Sequence, residues 1–277
     1  MASSGNQLPV GLRYVTAYSL LASGLPQAGA VPATAYQGVE FEGPKAFSLN
    51  VPEARKITHI GEDRPLAIDY LPPTDAMDGE LQVSPSEFNV IALLGDTVMA
   101  TTAEKTYVPM ATSKQGFEPQ IGLLMYQQSL DVTLGTRTWR SLIIPSARCV
   151  YMPAGMGQDA QDTRYKIAPA VVTKHLWGKS LVSGTEGCTS MQAAEIHTTG
   201  RPNIVAWLSA SGGGTTTFTF PTAKPNLFAT RPASIVVWSD GVLYVNGAGA
   251  GEVAVSATQL VFGTALVSKT VVCFYEW

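Results

Sequence analysis

Short runs in which apolar and polar residues alternate, each closed by glycine or proline, recur through this chain and leave few folds open to it. VEFEG, AFSLNV, ARKITHIG and LAIDYLPP are the first of them, and TYVPM, GLLMYQQSLD, TWRSLIIPSARCVYMP and TRYKIAPAVV continue the series. Alternation at period two places every second side chain on the same face, so each run reads as a half-buried strand. With 26 glycines and 18 prolines to turn the chain, the expected class is mainly β.

One stretch breaks the pattern. In DGELQVSPSEFNVIALLGD, residues 78–96, a strand runs into a helix start. Ser84 is placed to cap it, Pro85 suits the first helical position, and Glu87 completes a capping box with Ser84. Phe88, Ile91 and Leu94 recur at helical spacing before Gly95 ends the segment. The expectation is one short, well-capped helix with Phe88, Ile91 and Leu94 on one face.

Three parts are expected. Residues 1–38, rich in Gly, Pro, Ala and Ser with no sustained period after Leu21, read as an ordered arm or a linker rather than a domain, of a kind that often needs a neighbour to lie on. Residues 39–185 hold the strands above and the helix. Residues 186–277 carry IVAWLSA, TTTFTF, EVAVS, QLVFG and TVVCFYEW, which suggest a small C-terminal β-sandwich. Within it SIVVWSDGVLYVNG reads as a hairpin, because Asp240-Gly241 is a pair favoured in tight type I′ turns.

Charged residues make up only 14% of the chain, against a norm of about 25%. So sparse a charge points to a surface that meets other protein. The net charge of −3 argues against a general nucleic-acid binder. The charges are also segregated, the first hundred residues being acid-rich and residues 101–180 base-rich. Cys149, Cys188 and Cys273 are an odd number without close spacing, so no disulfide framework is expected. Neither a secretory leader nor an apolar run of membrane-spanning length is visible.

Catalytic patterns are missing from the sequence. His59, His175 and His197 form no zinc-binding spacing, and neither a nucleophile elbow nor a phosphate-binding loop is present. GAGAG at 247–251 is followed by a strand rather than a helix, so it reads as a turn. No enzyme activity, cofactor or metal is expected. A glycan hydrolase on a β scaffold would need a walled cleft that splits two carboxyl pKa values. Glu40, Glu42, Asp69, Asp78 and Glu80 lie in or beside strands of the acid-rich part. Repeated around a ring, they would give a negative wall that repels DNA phosphates.

The order DGELQVSPSEFNVIALLGD, then GLLMYQQSLDVTLGTRTWRSLIIPSARCVYMP, then TRYKIAPAVVTKHLWG resembles the major tail tube proteins of long-tailed bacteriophages. The landmarks are Leu93, Leu94 and Gly95 at the helix end, the Arg137–Trp139 stretch, and the strand from Tyr165 to Pro169, and the likeness covers roughly residues 39–180. The C-terminal part looks like the small β modules appended to phage tail and fibre proteins. The resemblance implies a tail-tube-type β-sandwich or barrel with one short flanking helix, followed by the small C-terminal sandwich. It implies that Phe88, Ile91 and Leu94 bury against the open flank of the sheets. It implies self-assembly into stacked rings, six-fold being favoured because only one tube-like unit is visible, and three-fold being the alternative if the C-terminal part is half of a second unit. Expected partners are other copies of the chain, a tape measure protein, a tail terminator and DNA in passage without specific binding, with no membrane. The place implied is the virion tail, after synthesis in the bacterial cytoplasm. The arm and the loop at 102–120 are the expected inter-ring contacts. If the C-terminal module is an outer decoration, tubes are expected to survive truncation after about residue 185; if it is part of the tube wall, they are not. The alternative is another β-rich virion component: a head decoration, tail terminator or fibre-base protein.

Overall fold

The computed structural model describes residues 7–29, 34–50, 55–61, 64–71, 78–84, 90, 92–93, 100–101, 106–107, 119–131, 135–152, 162–172, 175–178, 192–196, 201–227 and 235–277. The protein is mainly β, as the alternation predicts. In chain order the first half contributes β1 (Gln7–Ser19), β2 (Val39–Phe41), β3 (Pro44–Asn50), β4 (Arg55–Gly61), β5 (Arg64–Leu71) and β6 (Asp78–Val83). There follow β7 (Ala100–Thr101), β8 (Thr106–Tyr107), β9 (Gln120–Asp131), β10 (Thr136–Met152), β11 (Thr163–Pro169) and β12 (Gln192–Ile196). The second half contributes β13 (Pro202–Leu208), β14 (Thr215–Thr219), β15 (Val236–Ser239), β16 (Val242–Asn246), β17 (Glu252–Val255), β18 (Gln259–Leu266) and β19 (Thr270–Glu276).

The first sheet runs β2-β1-β9-β10-β11-β6-β3, with β12 also paired to β10. Its end strands β2 and β3 are separated in the chain only by residues 42 and 43, so the sheet must curl until its two borders meet. Ser84, just past β6, donates its N–H to the Gly43 carbonyl at 2.8 Å at that junction. The result is a near-barrel. Val15, Ala17, Phe41, Leu81, Val83, Ile121, Leu123, Met125, Ile144, Cys149, Tyr165 and Ile167 fill its inside. Val39 and Phe41 pair with Ala17 and Val15, while Glu40 between them pairs with Thr16. Strand alternation therefore turns Val39 and Phe41 inward and Glu40 outward.

Of the expected helix, Val90, Ala92 and Leu93 are helical. Val90 is buried in the barrel core and Leu93 packs on it, so a helical segment does cover the sheet. Phe88, Ile91 and Leu94, with the capping residue Glu87, lie outside the described residues, as does most of the 102–120 loop.

Much of the segment read as an arm is part of the first sheet. Gln7–Ser19 is a strand in the body of the first sheet, paired along most of its length with β9. Register shifts between Pro9 and Gly11 and between Leu12 and Tyr14 break its alternation, which hid the strand from a period-two reading.

The second sheet runs β13-β19-β15-β16-β17-β18-β14 and folds over its own core of Val205, Trp207, Phe218, Phe220, Val237, Val253, Leu260, Phe262, Val271 and Cys273. The Asp240-Gly241 hairpin is present: Ser239 pairs with Val242 across the two-residue turn, and both turn residues have positive φ, 47° and 82°, as type I′ requires. The strands β15 and β19 are buried along their whole length. Their second face packs on the outside of the barrel, where Ile204, Ala206, Val236, Trp238, Val272 and Phe274 meet Tyr18, Leu124, Tyr126, Trp139, Ile143 and Trp177. The C-terminal part is thus a second layer on the barrel, and the boundary falls after β12, beyond residue 185.

Candidate functional site

Three surface features follow from this architecture: the rim of the seam between the sheets, the open outer face of the barrel, and the β4–β5 ribbon.

At the rim, β2 directs Glu40 outward to the second sheet. Its Oε1 lies 2.9 Å from Arg201 and 3.5 Å from the Lys224 Nζ. Each cation also meets an aromatic ring. The Arg201 guanidinium sits 3.5 Å above the Tyr14 ring, and the Lys224 Nζ is 4.6 Å from the Trp277 ring centre. One carboxylate therefore holds two cations, with ring faces supplying the remaining negative potential. Burial, which disfavours the charged form, lowers the Lys224 pKa; Glu40 works in the opposite sense. Deeper in the seam the Tyr18 hydroxyl is placed to donate to the Ile204 carbonyl, 3.3 Å away, and burial holds its pKa far above the ordinary tyrosine value.

The outer face of β3, β6 and β11 carries paired charges. Lys166 stands opposite Glu80 and Arg164 opposite Gln82 in the register, yet each cation leans one step along the strand. Lys166 bonds Asp78 and Arg164 bonds Glu80, both at 3.3 Å. Asp162 joins Lys45 and accepts from Gln82 at 2.8 Å. The Lys45 hydrogen bond holds the Asp162 carboxyl below the usual carboxylate range.

Asn50 and Asp78 pair directly at the ends of β3 and β6, so the stretch of chain that holds the ribbon starts and ends at one place on the sheet. Within it β4 and β5 pair only with each other among the described strands.

The five acids expected on a bore wall are thus dispersed. Glu40 turns to the seam, Asp78 and Glu80 are paired with cations, Glu42 is exposed, and Asp69 lies on the ribbon, its side chain outside the described residues. An open cleft of about 570 Å³ runs along β2, lined by Arg13, Tyr14, Val39, Glu40, Phe41 and Glu42 among others. Among the described residues no group of three His, Cys, Asp or Glu could hold a metal ion. His175 is buried, its Nε2 3.2 Å from the Ala170 carbonyl. Cys149 and Cys273 are free and buried in the two cores, and burial pushes both thiol pKa values up. No helix among the described residues is long and apolar enough to cross a membrane.

No family model and no curated protein matches the chain.

The rim cluster was missed in the sequence because its members lie far apart along the chain. One signal was available. IVAW, IVVW and VVCFY are continuous apolar runs rather than alternating ones, the mark of strands covered on both faces.

Proposed function

We propose that this chain is a virion structural protein, the major tail tube protein of a bacteriophage, whose copies build stacked rings around a bore for DNA. The observation that carries the reading is the β4–β5 ribbon. A two-stranded hairpin is marginal by itself in water, and among the described strands neither of its edges has a further partner, which leaves strand edges open to pairing. Set out from paired residues of the barrel, it is built to add strands to another copy. The low charge content and the strand and helix landmarks at 78–96, 137–139 and 165–169 favour the same reading. Partners are then other copies, the proteins that set and end the tail length, and passing DNA. Glu42 and Asp69 remain as acids for the bore, whereas the face of Asp78 and Glu80 is balanced by Lys166 and Arg164.

Electron microscopy of the purified full-length protein tests this. Long hollow polymers are expected, and a protein that stays monomeric at high concentration rejects the reading. A second reading, a head decoration, terminator or fibre-base protein, is favoured by the first sheet's near-closure on itself. It predicts discrete small oligomers in the same images.

A further inference from the structure

The connection between β1 and β2 reaches across the seam as a strap. Its residues Gly29 and Tyr36 form bridges to β13 of the second sheet. Tyr36 donates its N–H to the Ala206 carbonyl at 2.9 Å, and Ala206 returns a bond to the Tyr36 carbonyl at 3.0 Å. Gly29 adds a second N–H to the same Ala206 oxygen at 3.2 Å. On the barrel side β12, the last strand before the second sheet, pairs with β10 from Trp139 to Ile143, so the link to the second sheet starts beside the strand that carries Trp139 and Ile143. Beside the strap lies the apolar seam, where six large side chains of the barrel exterior meet the inner face of β13, β15 and β19. Exposed together, Tyr18, Leu124, Tyr126, Trp139, Ile143 and Trp177 would form an apolar patch larger than a soluble monomer ordinarily shows.

We infer that the barrel and the second sheet are one cooperative folding unit, pinned at its rim by Glu40, Arg201 and Lys224, and that residues 201–277 are not a detachable outer module. Through Gly29 and Tyr36 the strap is an edge guard for β13, which would otherwise present a free strand. Removing residues 201–277 uncovers the barrel face and orphans the strap, so the barrel does not survive it. The inference goes beyond the assembly reading and holds or fails without it.

The test uses the whole chain. A specific protease site is inserted between Thr199 and Gly200, after β12, and the protein is cleaved after folding. Expected is one particle in gel filtration, its two pieces parting only in denaturant; two pieces that separate in native buffer while each stays folded overturn the inference. The uncut chain gives a second measurement. Urea unfolding followed by tryptophan fluorescence, which reports the seam and second sheet, and by circular dichroism, which reports all strands, is expected to give one coincident transition. Tyr36→Pro, which removes one strap bond, is expected to lower both midpoints together. Two separate transitions, or a fall at one probe alone, overturn the inference.

Discussion

Glu40 of the barrel and Arg201 of the second sheet meet at 2.9 Å across the seam, and Arg201 is the more deeply covered of the two, its side chain 15% exposed against 43% for Glu40. The carboxylate separates two cations that would otherwise face one another. Glu40→Ala is expected to destabilise the protein by about 1–2 kcal/mol, more than an open surface pair and less than a fully buried one. A double-mutant cycle with Arg201→Ala in urea denaturation measures the coupling, and additive single effects would show that the contact contributes nothing.

Asn50 and Asp78 allow the ribbon to be removed cleanly, because the cut ends already face each other. Replacing residues 51–77 by Asn-Gly is expected to leave the circular dichroism and the unfolding midpoint close to those of the parent while abolishing self-association in sedimentation velocity. An excised protein that still polymerises would place the assembly contact elsewhere.

Gly122 lies beneath the Trp177 indole, where an added Cβ would sit 2.5 Å from Cζ2. Trp177 is fully buried and its Nε1 donates to the Gly24 carbonyl at 3.0 Å, so it has no room to retreat. Gly122→Ala is expected to destabilise by about 1–3 kcal/mol through overpacking. A shift in tryptophan emission should accompany the lowered midpoint, since the ring must move.

Asp162 sets an acid limb. Its carboxyl pKa lies below the ordinary 3.8, mainly because of the Lys45 hydrogen bond. A carboxylate with a depressed folded-state pKa stabilises the fold above its unfolded pKa and loses that contribution as pH falls through the folded value. The parent should therefore lose stability below the ordinary carboxylate value, and Asp162→Asn should flatten that decline. Urea midpoints taken across the acid range will show whether the two curves converge at low pH.

The sequence carried the class of the fold because period-two alternation survives wherever one face of a strand meets water. Asp78–Val83 and Thr163–Pro169 alternate in burial as they alternate in composition. The alternation failed where geometry interrupted it. In β1 two register shifts scrambled the pattern, and in β10 the shift between Ile144 and Ala147 brackets Pro145, a residue a regular ladder does not accept. The rim was illegible for another reason: Glu40, Arg201 and Lys224 converge only once two sheets have stacked, and no local spacing encodes that event. Ion pairing of Asp78 and Glu80 was similarly hidden, since their cations sit on a strand that follows much later in the chain.

The strap fixes an order in time. Tyr36 leaves the ribosome long before Ala206 exists to receive its hydrogen bond, and Trp177 waits for Trp238 and Phe274. With the two sheets folding as one unit, as inferred above, the barrel exterior gains its cover only after translation has passed β19. Such long-range closure makes for slow maturation.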